Sequence, residues 1–226
     1  MAIEDEQKTE EEYSITIHGT WAALKRKSEW WRPRGRLFRY LQTNPPADPT
    51  EPGLGPVGAN LYARWDRFSW TGTLASGARL AGAEDLERWK ERHGCHFDKI
   101  FAHSHGGNVA LDSAQEFETR IDLLILMNTP AHERSAEEWG KISHAIDRIL
   151  SLRCRFDLVV LSDRGYSAMS GIATNGIFPY DRVRDYPIPN QWFDHSAITH
   201  PRVWKGNDLA LLVANEAEQV GRLRRP

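Results

Sequence analysis

The stretch Ile100-Phe-Ala-His-Ser104-His-Gly-Gly-Asn-Val109 carries most of the information about the fold. A short apolar run ends at a serine, and two glycines precede a helical pattern, which predicts a strand, a tight turn and a helix. A serine at the apex of such a turn projects from the sheet with its hydroxyl exposed. The strand and helix backbones nearly touch at such a turn, so the residues on both sides must be small. Ala102 and Gly106 meet this requirement. Ser104 is therefore a candidate nucleophile.

Two other interpretations of this stretch stay open. Ser104 can be an ordinary residue of a strand-to-helix turn. His103 and His105 also form a His-x-His pair, a common way to present imidazoles to zinc. A sharp turn after Ser104 would spoil the alternation that places both rings on one face. We therefore favour the nucleophile, and we expect neither a metal nor a cofactor.

The length and composition of the chain indicate one domain whose net charge gives no sign of nucleic-acid binding. The chain has 226 residues, enough for one domain with a substantial core. A formal net charge of −2 gives no footprint for nucleic acid. Cys95 and Cys154 are isolated, which favours a reducing compartment. No apolar run is long enough to span a membrane, and the acidic tail 1–12 has no signal core, so a cytoplasmic protein is expected.

Strand and helix patterns alternate along the chain. The predicted strands are Tyr13–Ile17, Arg67–Thr71, Lys99–Ala102, Ile121–Met127, Phe156–Leu161 and an edge strand Arg182–Tyr186. The predicted helices are Arg36–Gln42, Gly77–His93, Asn108–Phe117, Ser135–Leu152 and one that begins at Pro201. Apolar strands alternating with helices imply an α/β fold, in which a mostly parallel sheet is covered on both faces.

Four chemically capable residues follow predicted strands at one edge of this sheet. They are His18, Ser104, Asp163 and His195. Active sites of such sheets lie at the carboxyl ends of the strands. The position of all four residues at one edge indicates a functional site more strongly than any one of these residues does.

These features resemble the α/β-hydrolase superfamily, and more narrowly its small lipase- and esterase-like members. The turn around Ser104 is similar to the family's nucleophile elbow, with Ala102 in place of the usual glycine. The order Ser104, Asp163, His195 matches the family's order of serine, acid and histidine. The resemblance covers about Ile15 to the C-terminus. It implies a three-layer α/β-hydrolase fold with a minimal, mostly parallel sheet of about six strands.

The resemblance also implies roles for individual residues. Ser104 would be the nucleophile, His195 its base and Asp163 the acid that orients the histidine. The segment His18-Gly19-Thr20-Trp21 is similar to the family's oxyanion loop, so the amides of Thr20 or Trp21 and of His105 would bind the oxyanion. The implied activity is a serine hydrolase that cleaves a carboxylic ester, with a small-molecule or lipid ester as substrate.

Several alternatives remain open at this point. His200 is a second candidate base, and Asp181, Asp185 and Asp194 are further candidate acids. A thioesterase, an amidase or an acyltransferase would use the same three residues, because the choice depends on pocket shape and water access. A non-enzymatic binding module of the same fold is the alternative from another functional class.

Residues 13–226 are predicted to form a single domain with a Trp- and Pro-rich insertion or lid at about residues 22–65. Trp30 and Trp31 lie beside Arg32, a pattern typical of an apolar wall rimmed by charge. Asn44–Asn60 is too rich in proline for a regular element. Loops this long in compact domains are usually functional or mobile.

Overall fold

The computed structural model describes residues 11–20, 30–47, 54–162 and 182–223. The strands are β1 (Glu11–Ile17), β2 (Cys95–His103), β3 (Ile121–Met127), β4 (Ile146–Arg153) and β5 (Val183–Pro187). The α-helices are α1 (Arg36–Thr43), α2 (Ser76–His93), α3 (His105–Phe117), α4 (Ala136–Ala145), α5 (Leu158–Ser162), α6 (Pro201–Gly206) and α7 (Leu209–Leu223), and Ala197–Thr199 forms a 3-10 turn.

The five strands form one all-parallel sheet in the order β1-β2-β3-β4-β5. The chain therefore adds each strand beside the previous one, which requires a crossover between successive strands. The register aligns the strand ends: Ile17 lies opposite Ala102, His103 opposite Met127, and Met127 opposite Leu152. The residues that follow these strands are thus gathered at one edge of the sheet.

Helices cover both faces of the sheet, as the α/β pattern predicts. Alternate strand residues divide between two buried clusters, because successive side chains of a strand point to opposite faces. Ile100, Leu124 and Ile149 pack in the cluster that holds α2, α3 and α4. Phe101 and Leu150 pack in the cluster that holds α1, α6 and α7. The strands are buried on both sides, which gives a three-layer α/β arrangement.

Two predicted elements of the second half are wrong. The helix predicted over Ser135–Leu152 ends at Ala145, and its remainder is strand β4. Ile149 contacts one face of the sheet, whereas Leu150 and Leu152 contact the other. A strand buried on both faces reads as a nearly continuous apolar run, which periodicity alone does not distinguish from a buried helix.

The predicted strand Phe156–Leu161 is also wrong, because the chain turns into α5 at Leu158. The Asp157 carboxylate accepts hydrogen bonds from the amides of Val159 (3.0 Å) and Val160 (3.2 Å), which is the geometry of a helix N-cap. Arg67–Thr71 is likewise irregular, so the described residues contain five strands instead of about six.

The segment predicted as an insertion contributes to the core. Trp30 and Trp31 are buried, and α1 packs with them in the cluster that also holds α6 and α7. Leu61 pairs with Ser14 beside β1 in an isolated parallel bridge. Tyr62 packs in the cluster on the other face of the sheet, so the segment contributes to both buried clusters. Its movement as a lid stays a prediction.

Candidate functional site

Ser104 occupies the apex of the predicted strand–turn–helix between β2 and α3. Its backbone has φ 54° and ψ −134°, a sparsely populated conformation for a residue with a Cβ. The Ser104 amide donates to the Met127 carbonyl (2.9 Å), and the Gly107 amide donates to the Ser104 carbonyl (3.0 Å). Strain of this kind persists only where the surroundings hold it, and it is concentrated at functional sites.

The Ser104 side chain is less open than the sequence predicts. The residue is only 2 % exposed, so its hydroxyl lies beneath neighbouring groups. Gly19, which follows β1, is one of them: an ideal Cβ built there would lie 3.2 Å from Ser104 Oγ and 2.6 Å from Ser104 Cβ. Glycine at position 19 therefore lets the loop after β1 approach the candidate nucleophile.

Gly106 permits an equally close approach on the other side of the turn. An ideal Cβ on Gly106 would lie 2.6 Å from the His18 carbonyl oxygen and 2.8 Å from that of Ile17. Both obstacles are backbone atoms of β1 and its following loop, which cannot move without disturbing the sheet. A small residue is needed here, as the turn pattern predicts.

Replacement of Gly106 by alanine is expected to lower the free energy of unfolding by about 1–3 kcal/mol through overpacking. Gly140→Ala is the matched control, since Gly140 is an exposed α4 residue with nothing within 4 Å of an added Cβ. It is expected to stabilise the protein by up to about 1 kcal/mol, because alanine is the better helix former. Urea unfolding of both variants measures the two effects, and equal behaviour would contradict this account of the turn.

His195 is hydrogen-bonded to the carboxylate of Asp157, which is not among the acids predicted from the sequence. Its Nδ1 lies 2.6 Å from Oδ2 of Asp157. The Asp157 side chain is only 2 % exposed and that of His195 14 % exposed. The other Asp157 oxygen, Oδ1, accepts the two α5 amides, so the carboxylate is fixed by three contacts. Such a carboxylate holds the proton of His195 on Nδ1 and leaves Nε2 free to accept another.

The chain around His195 is tied to the ends of β2, β3 and β4. The His195 carbonyl accepts hydrogen bonds from His103 Nε2 (3.0 Å) and from Asn128 Nδ2 (2.8 Å). Asn128 Oδ1 in turn accepts from the Cys154 amide (2.7 Å), and Cys154 Sγ donates to the Asp194 carbonyl (3.3 Å). These contacts anchor His195 to three neighbouring strand ends.

His103 has a structural role in this anchor. His103 directly precedes Ser104 in the chain, and the centroid of its ring lies 4.8 Å from that of the His195 ring. Burial lowers the pKa of His103 to about 3, with the nearby His195 acting in the same direction. His103 is therefore neutral at physiological pH, and its proton lies on Nε2, where it bonds the His195 carbonyl.

The two rings of the His-x-His pair contact different neighbours. His103 packs against Trp30 and His195, whereas His105 packs edge-on against His132 at 5.5 Å between centroids. The turn at Ser104 separates them, as its backbone geometry requires. In residues 11–20, 30–47, 54–162 and 182–223 no group of three or more His, Cys, Asp or Glu side chains is arranged to hold a metal ion.

The other predicted residues divide into three groups. Asp163, Trp21 and Asp181 lie outside the described residues. Asp185 bonds Arg153 (2.9 Å), and His200 caps α6, where its Nδ1 accepts from the Arg202 amide (3.2 Å). Asp194 is exposed and bonds the Ser196 amide (2.9 Å). Of the two described candidate bases, His195 and His200, only His195 has a carboxylate bonded to its ring, and that carboxylate belongs to Asp157.

The predicted oxyanion side is lined by aromatic rings. His18 stacks on Trp70 (5.9 Å between centroids) and lies tilted against Trp31 (4.5 Å), and the Trp70 indole donates to the His18 carbonyl (2.7 Å). Burial lowers the pKa of His18, so its ring is neutral and orders the loop. Thr20 follows in a turn, and His105 is the first residue of α3, where backbone amides lack partners within the helix.

A group of exposed apolar side chains lies close to Asp157 and His195 in the chain, and we call it the apolar rim. Phe156, which precedes Asp157, stacks on Trp192 (5.8 Å between centroids) and on Phe193 (6.3 Å), which lie shortly before His195. Leu158 and Val159 are also exposed. Grouped exposed aromatics are unusual on a monomer surface and mark binding surfaces.

No family model matches the chain, and neither the curated proteins nor the solved structures contain a significant match to it. Among the described residues, no helix combines the length and apolar character that crossing a bilayer requires.

Proposed function

We propose that the protein is a serine hydrolase of the α/β-hydrolase type that cleaves a carboxylic ester through an acyl-serine intermediate. The observation that carries the proposal is the buried Asp157–His195 pair (2.6 Å) at the same sheet edge as the strained turn of Ser104. His93 and Asp66 (2.9 Å) form a similar pair away from this edge, so the pair alone does not distinguish a catalytic role. Its position at the same sheet edge as Ser104 supports the proposal, because a nucleophile, its base and its orienting acid require that arrangement.

The topology supports the same proposal. Gly19 follows β1, Ser104 follows β2, Asp157 follows β4 and His195 follows β5. The superfamily has its oxyanion loop, nucleophile, acid and histidine in this order along the chain, which supports the proposal. The acid is assigned to Asp157 because it contacts His195, in place of the Asp163 that the sequence predicts.

In the proposed mechanism, Ser104 Oγ attacks the ester carbonyl carbon as His195 Nε2 removes its proton. Asp157 holds the proton on Nδ1 and stabilises the imidazolium that forms. The amides of His105 and of Thr20 or Trp21 bind the developing oxyanion. His195 then gives the proton to the leaving alkoxide, which departs as the alcohol. A water molecule, deprotonated by His195, hydrolyses the acyl-serine and releases the carboxylic acid.

The apolar rim favours esters with a bulky apolar group. Phe156, Trp192 and Phe193 lie close to Asp157 and His195 in the chain and form a stacked, exposed apolar surface, to which we assign the apolar group of the substrate. Burial of such a group stabilises the complex by about 25 cal/mol per Å² of apolar surface. We therefore expect the specificity constant kcat/KM to rise with the chain length of a soluble p-nitrophenyl ester series.

Labelling with a small fluorophosphonate tests the proposal. Wild-type protein is expected to form a covalent adduct, with the modified peptide mapping to Ser104, because such probes react with activated serines. Ser104→Ala is expected to remain unlabelled. Ser113→Ala is the matched control, since Ser113 is also a buried serine but is bonded to Thr119 (2.6 Å). This variant is expected to be labelled like the wild-type protein. A folded wild-type protein that neither labels nor hydrolyses any ester would contradict the proposal.

A further inference from the structure

A shallow groove, widely open to solvent, lies between α1 and α6, and we call it the basic groove. Its volume is about 460 Å³. Arg36, Arg39 and Tyr40 contribute to it from α1, and Lys205 contributes from α6 with His200 at the helix start. None of these residues belongs to the proposed hydrolase site.

No carboxylate lines the basic groove, although the charge of Asp208 reaches its Tyr40 wall. In the described part of the chain, Arg36, Arg39 and Lys205 form no ion pair, and no Asp or Glu lines the groove. The chain as a whole carries a formal net charge of −2, so this concentration of positive charge is local. Three unpaired cations that face one concavity attract a multivalent anion.

The geometry of the donors suits phosphate oxygens. Arg36 and Arg39 are three residues apart on α1, which places their side chains on one face of the helix. Guanidinium groups bind phosphate through two parallel hydrogen bonds. Lys205 Nζ lies 5.6 Å from the centre of the Tyr40 ring, over the groove's aromatic wall. Burial raises the pKa of Tyr40, with the charge of Asp208 acting in the same direction, so the phenol keeps its proton.

The surroundings favour a soluble ligand over a lipid headgroup. The exposed large apolar residues of the described chain are Trp65, Leu74, Leu80, Phe117, Phe156, Leu158, Val159, Trp192 and Phe193, and none of them lines the groove. A membrane-binding surface needs apolar side chains that insert beside its cations. The groove has the cations and the concavity without that apolar border.

We propose that the basic groove binds a soluble small molecule that carries a diphosphate group. Three cations match the charge of a diphosphate, and the volume admits it with a modest organic group attached. The site is separate from Ser104, so binding does not depend on the proposed hydrolase activity.

Calorimetric titration with inorganic pyrophosphate, in phosphate-free buffer, tests the proposal. Full-length wild-type protein is expected to bind with a Kd below about 1 mM. The double variant Arg36→Gln, Arg39→Gln is expected to bind at least about tenfold more weakly, since it loses two charge-assisted contacts. The matched control is Arg88→Gln, Arg92→Gln, which removes two exposed arginines of α2 outside the groove and is expected to bind as wild type.

Three outcomes would overturn the proposal. One is a wild-type protein that fails to bind pyrophosphate below about 10 mM. Another is an equal loss of binding in the α2 control, which would indicate non-specific charge attraction. The third is binding to phosphatidylcholine vesicles that contain phosphatidic acid, lost in the Arg36, Arg39 variant, without binding to pyrophosphate. That result would assign the groove to a lipid headgroup instead.

Discussion

Replacement of His195 by glutamine is expected to lower kcat for ester hydrolysis by roughly 10⁴- to 10⁶-fold, the range found when the base of such a triad is removed. Glutamine preserves hydrogen-bonding capacity near Asp157 but has no group that accepts a proton near neutral pH. In the proposed mechanism His195 removes the proton of Ser104 and then protonates the leaving alkoxide, so both halves of the reaction lose their proton carrier. KM is expected to change much less than kcat.

Two further histidine variants define what this loss means. His144→Gln is the matched control, because His144 is an exposed residue in the last turn of α4. It is expected to retain wild-type kcat. His200→Gln tests the alternative base directly. Loss of activity in that variant, with activity retained in His195→Gln, would overturn the assignment of the base.

The turn at Ser104 and strand β3 are predictable because their signals are local. Small residues flank the turn, and the structure places Gly106 where backbones nearly touch. Strand β3 coincides with the predicted Ile121–Met127, since all its residues except Asp122 are apolar. A short-range pattern suffices wherever one tight turn or one buried strand decides the conformation.

The second half is not predictable in the same way, because tertiary contacts decide it. Strand β4 fits between β3 and β5, and this burial outweighs a helical pattern that continues from α4. The predicted strand Phe156–Leu161 is therefore absent, and the chain turns into α5 instead. A sequence signal for this turn exists: Asp157 precedes the apolar run Leu158-Val-Val-Leu161, the position of a helix N-cap.

The second site could not be found by searching for motifs. Arg36 and Arg39 lie far from Lys205 in the sequence, and the three residues form no phosphate-binding motif. They come together only because α1 and α6 pack against each other in the folded chain. Isolated surface cations are usually solvated and carry no functional signal. Their convergence on one concavity without a carboxylate is a property of the packing.

Asp157→Asn is expected to reduce kcat roughly 10⁴-fold while leaving most of the stability intact. The asparagine carbonyl can still accept the amides of Val159 and Val160, so α5 keeps its cap. Its amide then faces His195 Nδ1, only 2.6 Å away in the wild-type pair, and an amide donates where the carboxylate accepts. His195 is driven to the tautomer with its proton on Nε2, which cannot take the proton of Ser104.

Asp163→Asn separates this assignment from the one that the sequence predicts. It makes the same chemical change six residues further along the chain, outside the described residues, so it controls for loss of one carboxylate in this region. If Asp157 is the acid, Asp163→Asn retains most of its kcat and Asp157→Asn does not. The reverse result would restore Asp163 as the acid and reduce Asp157 to a helix cap. Thermal unfolding of both variants shows whether a loss of activity comes from the wrong His195 tautomer or from unfolding. Only unfolding is accompanied by a large decrease in Tm.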